Sequence, residues 1–384
     1  MTAAAADRPF DHDPAGHTSS GGRRIIGLDV TRALALVGVV VMNYHGYLNG
    51  GQTSSPPTFW DRLFHPWSGV LSTRFAATFV LVAGMGVTLM TNRARAGNDR
   101  AAIANDRWRL LRRGLLLYAG GYVIEWIWSG TIIFFYGAYF MIGALIFTLR
   151  TRWLVLIGAA SALAGAGIAG WRIDRDLGGH STSWMDPTPD SPRNLFLRTF
   201  VGHTHPLLPW LAFFCAGIVL GRHLSRLAQL RPALLAAGLG AVAFGYALNA
   251  LFAPSFSSTS VGDRRWAVIL STRPFDRGLL YTISTLGSSI AAFCVISWIA
   301  ERTARHPITV ALQRAGQMTL SLYLLHIFVF NGVVNWAGWV QPVSLGAALA
   351  FAAVFWVGAI ALGAWWQKMF GLGPLERFYR GFGG

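Results

Sequence analysis

Apolar runs of about twenty residues recur along the whole chain, and a run of that length crosses the hydrocarbon core of a bilayer as one helix. The first, LDVTRALALVGVVVMNYHGYL at residues 28–48, carries polar groups that are costly on a lipid-facing helix. Asp29 and Arg32 sit near one end, Asn43 and His45 near the other. Arg32 and Asn43 are eleven residues apart, close to three helical turns, so they share a face. Asp29, three residues before Arg32, is placed to pair with it. His45 is rotated about 220° from Arg32 on a regular helix and leaves this polar seam. Its position suits a headgroup-level histidine at a helix end.

The 384 residues are 53% hydrophobic and 12% charged, with 16 Trp and 25 Phe, which suits neither a soluble enzyme nor a disordered chain. The alternating segments of a membrane β-barrel are absent. The chain therefore reads as an all-α, polytopic integral membrane protein with about ten transmembrane helices. They fall at roughly 25–48, 70–91, 112–129, 131–149, 153–171, 207–222, 233–253, 279–300, 314–335 and 345–369. Arginines crowd alternate connections: seven from Arg93 to Arg113, then Arg150 and Arg152, then Arg222, Arg226 and Arg231, then Arg302 and Arg305. With both termini cytoplasmic, all four basic connections fall on the cytoplasmic side, as the positive-inside rule expects. The net charge of +16 thus reads as anchoring and contact with anionic membrane lipids, with no nucleic acid as partner. Lys368 is the sole lysine, a bias typical of GC-rich bacterial coding, so the expected location is a bacterial plasma membrane. Residues 1–22 lack the apolar core of a signal peptide and read as a disordered cytoplasmic tail. Residues 23–384 read as a single transmembrane domain, in which Cys215 and Cys294 are small hydrophobes rather than a disulfide framework.

Three longer connections, at about 49–69, 172–206 and 254–278, lie on the opposite side, and loops of such length are often functional. In the first, TFWDRLFHPWSG is expected to form a short interfacial helix with Trp60, Phe64 and Trp67 at headgroup depth. Asp61 and His65 would then share one face. The histidines show no HExxH spacing, and a serine nucleophile elbow and a phosphate-binding glycine loop are absent, so no metal is expected. A histidine acting alone or with a carboxylate as general base remains, and that suffices for acyl transfer. His65 leads, because it precedes a span whose entry carries Arg74, a cation needing a partner. Its alternative is an interfacial histidine beside an aromatic anchor.

Glu125, the only Glu within a span, can orient a base, pair with Arg74 or be hydrated at the interface; an ion pair is the favoured reading. Thr319, Tyr323 and His326 share a face of the ninth span, as interhelical hydrogen-bonding groups or, for His326, as a catalytic group. Arg32, Arg112, Arg113 and Arg222 at the inner boundary match phosphate bidentately and suit the pyrophosphate of coenzyme A. Positive-inside anchoring accounts for them equally well, except for the deeper Arg32.

The seam of LDVTRALALVGVVVMN is joined by HPWSG leading into TRFAATFVLVAGMGV, and by RRGLLLYAGGYVIEWIW followed by IIFFYGAYFMIGAL. THPLLPWLAFFCAGIVLGR and GQMTLSLYLLH then precede a terminal GPLERFYR. In order and spacing these segments resemble the transmembrane acyltransferase superfamily. The branches are the heparan-alpha-glucosaminide N-acetyltransferase-like proteins and, towards the carboxy end, the YeiB-like bacterial membrane proteins. The resemblance implies that His65 takes the place of the acetyltransferase branch's catalytic histidine, although its step to Trp67 is one residue shorter.

The expected function is a membrane-bound acyltransferase that takes an acyl group, acetyl foremost, from cytoplasmic acyl-CoA. The acceptor is a hydroxyl or amine of an envelope glycan, lipid or small molecule at the outer face. His65 would be base or acyl carrier, and Asn43 a donor to the thioester oxyanion. Glu125 or Asp61 would fix the histidine's tautomer, with His326 a further catalytic candidate. Arg32, Arg74, Arg112, Arg113 and Arg222 form the cofactor-binding set, and His65, Asn43 and Arg74 are expected around one cavity. A homodimer is compatible with this reading. The competing class is a transporter or lipid-handling protein in which Arg32, Arg74, Glu125 and His326 line a polar pathway.

Overall fold

Each apolar run folds as a helix, the form in which a chain away from water satisfies its own backbone hydrogen bonds. The computed structural model describes residues 25–49, 56–188, 190–202, 205–252, 260–340 and 344–383, so the expected tail at 1–22 lies outside the described residues. In order come α1 (Ile26–Asn49), α2 (Phe59–Phe64), α3 (Arg74–Gly97), α4 (Arg100–Glu125), α5 (Ile133–Ile146) and α6 (Thr151–Leu177). Next are α7 (Pro192–Phe200), α8 (Leu207–Gly221), α9 (Leu227–Phe252), α10 (Val261–Ile269) and α11 (Leu279–Arg302). Then α12 (Pro307–Gly316), α13 (Thr319–Phe330), α14 (Leu345–Phe370) and α15 (Pro374–Gly383) follow. No strand occurs among the described residues.

A helix stands at each of the ten expected spans, but the ten are not equivalent. Among the described residues seven helical segments are long and apolar enough to cross a membrane: those of α1, α3, α6, α9, α11 and α14, and α13 with its continuation to Trp336. α5 and α8 are strongly apolar but only 14 and 15 residues long. The span expected at 112–129 is the second half of the 26-residue α4. That helix starts earlier because the Asp99 carboxylate caps it, accepting the N–H groups of Ala101 and Ala102 at 2.9 and 3.3 Å. The span expected from 314 is broken instead between α12 and α13. There the Glu376 carboxylate of α15 accepts the N–H groups of Leu320 and Ser321 at 2.7 and 3.0 Å and starts a new helix.

α1 occupies the centre, packed by α3, α11, α12, α13 and α14, so its polar seam faces protein. Ala33, Leu36, Val40 and Tyr44 on α1 are almost wholly buried. The faces of α9 and α14 that remain exposed are apolar, with Leu239, Phe244, Val354 and Val357 outward. α4 and α5 approach closely where two glycines face each other. A Cβ on Gly114 would lie 2.8 Å from the Gly137 carbonyl oxygen, and one on Gly137 2.6 Å from that of Gly114. Close backbone approach through small residues is how helices pack where lipid removes the hydrophobic drive.

Candidate functional site

The polar seam of α1 divides between two cavities. Arg32 lines one of about 440 Å³, and Asn43 lines another of about 300 Å³. The helical rise separates the two residues by about 16 Å. Ile132, at the start of α5, lines both cavities.

Four arginines, Arg32, Arg109, Arg113 and Arg380, line the first cavity, which continues along Phe79, Ala83, Leu117 and Tyr136. The predicted pair forms, with Arg32 Nη1 3.5 Å from Asp29 Oδ1. Arg32 also reaches the Gly316 carbonyl oxygen at 3.5 Å, and Gln317 donates to Asp29 Oδ2 at 3.1 Å, so the pair is tied to the α12–α13 break. Gly316 must be glycine there, since a Cβ would meet the backbone carbonyl of Asp29. The Arg113 guanidinium lies 5.0 Å over the Tyr379 ring. Burial raises the pKa of that phenol, so it adds no negative charge among the arginines.

Sequence reasoning found Arg32 and Arg113 but missed Arg109 and Arg380. Arg109 stands one turn before Arg113, a signal visible only once α4 is known to begin at Arg100. Arg380 arrives because α15 folds back onto α4 and α13. The other three arginines of the expected cofactor set lie elsewhere. Arg112 is exposed, one helical step off the buried face that carries Arg113. Arg74 ties α3 to α9 and α11, donating to Ser284 O at 3.1 Å, Ser288 Oγ at 2.7 Å and Tyr246 OH at 3.0 Å. Arg222 closes the end of α5, donating to the carbonyls of Phe147 and Leu149 at 3.0 and 2.7 Å and to Thr151 Oγ1 at 3.1 Å.

In the second cavity the Asn43 amide meets His326 Nε2 at 3.3 Å. His326 Nδ1 contacts the Tyr323 carbonyl oxygen, which can only accept, so Nδ1 carries the proton and Nε2 the lone pair. Nε2 therefore accepts one Asn43 N–H, which leaves the other N–H and the amide oxygen for the cavity. Tyr44 OH donates to the His326 carbonyl at 3.0 Å, and the rings of Tyr323 and Trp128 stand 4.7 and 5.6 Å from the imidazole. The fully buried histidine is thus held in one orientation. Of the trio on the ninth span, Thr319 and Tyr323 face the arginine cavity, while His326 backs Asn43.

His65 stands beside this cavity without lining it, although Pro66 and Trp67 do. Its Nδ1 accepts the backbone N–H groups of Trp67 and Ser68 at 3.2 and 3.1 Å, which turns the ring into its own turn and places its proton on Nε2. Backbone amides, not a carboxylate, therefore fix its tautomer. Asp61 instead closes a capping box with Thr58 on α2. Glu125 forms the favoured ion pair with Arg198 of α7, not with Arg74, and both partners are buried. His65, Asn43 and Arg74 accordingly do not surround one cavity: Asn43 lines it, while Arg74 and His65 do not. His45 is wholly buried, and among the described residues neither of its ring nitrogens has a hydrogen-bond partner.

His205, which the sequence does not single out, lines the Asn43 cavity with its ring 4.6 Å from that of Trp210. Phe275 joins this cavity to a third, polar one of about 270 Å³ lined by Arg172, Asp176, Asp186, Asp276 and Arg277. Burial, with Arg172 nearby, lowers the Arg277 guanidinium to about 10. No group of three metal-ligating side chains occurs among the described residues.

The family model described as heparan-alpha-glucosaminide N-acetyltransferase, catalytic, matches residues 24–248, more than half of the chain. A second, described as a protein of unknown function (DUF418), matches residues 222–382. No curated protein matches the chain. The first match holds Asn43 and three of the four cavity arginines; the second holds His326 and Arg380.

Proposed function

The chain belongs to the heparan-alpha-glucosaminide N-acetyltransferase catalytic family, and on that premise we propose that it transfers an acyl group between two cavities of one helix bundle. It is a multi-pass membrane protein related to membrane acetyltransferases. The observation that carries the fuller reading is the meeting of a cationic cavity and an amide-bearing cavity at one residue, Ile132.

In this reading acyl-CoA, acetyl-CoA foremost, enters the arginine cavity from the cytoplasm of a bacterial cell. Arg32, Arg109, Arg113 and Arg380 take its phosphates, because planar guanidinium forks match phosphate oxygens. The pantetheine arm follows Phe79, Ala83, Leu117 and Tyr136 towards Ile132. The acceptor, a hydroxyl or amine of an envelope glycan, lipid or small molecule, enters the Asn43 cavity from the outer face. Its oxygen or nitrogen adds to the thioester carbonyl, the C–S bond breaks, and coenzyme A leaves as the thiol.

Asn43 gives its free N–H to the developing oxyanion. His326 is a positioning residue, which accepts the other N–H and fixes the amide. The acceptor's proton passes to a histidine at the outer cavity. His205 lines that cavity directly. His65, singled out by the family resemblance, reaches the cavity once its ring leaves the α2 turn.

The test is purified protein in lipid nanodiscs, given acetyl-CoA and an acetyl-acceptor mixture, with thiol release and acetyl incorporation followed together. Asn43→Ala is expected to lose about 10²–10³ in turnover with little change in the KM for acetyl-CoA. Wild-type protein that neither binds acetyl-CoA nor releases thiol would reject the reading and favour a transport pathway through the same two cavities.

A further inference from the structure

The two cavities come within one residue of each other at Ile132. Among the described residues that line them, Ile132 alone belongs to both, and it is 7% exposed. The chain passes from one cavity to the other within five residues: Ser129 and Gly130 line the Asn43 cavity, Ile133 the arginine cavity. The backbone there is pinned. Ile132 N–H donates to Tyr323 OH at 3.0 Å, Tyr323 OH lies 3.5 Å from Thr131 Oγ1, and Thr131 is wholly buried.

We propose that Ile132 is a specificity-determining residue that keeps acceptor-side water from the donor thioester until an acceptor fills the outer cavity. This rests on the acyltransferase reading above. A thioester yields to any nucleophile that reaches its carbonyl, and water is far more concentrated than any acceptor. A β-branched side chain is stiff and offers water no hydrogen bond, so it suits a partition between a wet cavity and a reactive bond. When the partition fails, a water oxygen adds to the carbonyl and the C–S bond breaks. The sulfur departs as the thiol with one proton from that water, and the other is lost to solvent as the acid product ionises to a free carboxylate. Tyr323 serves the same end from behind, because its hydroxyl holds the Ile132 backbone in place.

The experiment uses full-length protein in nanodiscs with acetyl-CoA and no acceptor, reading thiol release and, separately, acetyl-CoA affinity. Ile132→Ala is expected to raise acceptor-independent thiol release by at least about tenfold, with acetyl-CoA binding retained. Ile132→Phe is expected to bring release below the wild-type level. Tyr323→Phe, which frees the partition without shrinking it, is expected to fall between wild type and Ile132→Ala. Should Ile132→Ala not fold, Ile132→Val keeps the test, with a smaller rise of the same sign. Wild-type thiol release from a folded Ile132→Ala or Ile132→Val that still binds acetyl-CoA would overturn the partition alone. Failure of the wild type to bind acetyl-CoA would overturn the acyltransferase reading beneath it.

Discussion

Asn43 owes its orientation to a residue 283 positions further along the chain. His326 Nε2 holds one amide N–H, and without it the Asn43 side chain is free to rotate away from the cavity. His326→Ala is therefore expected to lower turnover by about one to two orders of magnitude while the KM for acetyl-CoA stays near wild type. His326→Gln, whose amide oxygen can accept in place of Nε2, should recover part of the loss; steady-state kinetics on the three proteins decide this. A base acting directly on the acceptor would not be rescued by glutamine. The sequence alone makes the Asp29–Arg32–Asn43 seam readable, because helical period places those residues without reference to any other element. It also shows that His45 leaves the seam. It does not reveal where the His65 ring points. That depends on a local contest which two backbone amides win by donating to Nδ1.

Helix ends decide which arginines meet the cavity, and sequence reads helix ends poorly. Arg222 has the same chemistry as Arg32, yet it spends its donors on the carbonyls at the end of α5. Arg222→Ala is thus expected to cost about 1–3 kcal/mol of stability, seen as a lower unfolding midpoint, with acetyl-CoA affinity unchanged. A large loss of affinity in a stable Arg222→Ala protein would return this arginine to the cofactor set. The extension of α4 back to Asp99 was within reach of sequence, since an Asp before a helical pattern is an N-cap signal. The docking of α15 was not: Glu376 caps α13 and Arg380 enters the cavity only through tertiary contact.

For the molecule as a whole, the arginine-rich connections alternate along the chain, and the positive-inside rule then gives the bundle one orientation. The proposed transfer requires the arginine cavity to face the cytoplasm, where acyl-CoA is made, and the Asn43 cavity the opposite side. Cys215 and Cys294 are buried, so introduced cysteines can be labelled against a low background. Thr58→Cys is expected to react with a membrane-impermeant maleimide in intact cells, whereas Arg305→Cys reacts only after permeabilisation; both positions are exposed. The reverse pattern would invert the proposed direction of transfer. In the proposed reaction Arg32, Arg109, Arg113 and Arg380 hold the phosphates of acyl-CoA, and the deciding measurement is calorimetric titration of the nanodisc-embedded protein with acetyl-CoA. Replacing Arg32, Arg109 and Arg380 together by alanine is expected to weaken binding by at least about 100-fold, while replacing Arg74, Arg112 and Arg222 together leaves it near wild type. Equal binding by the two triple variants, or stronger loss in the second, would contradict it.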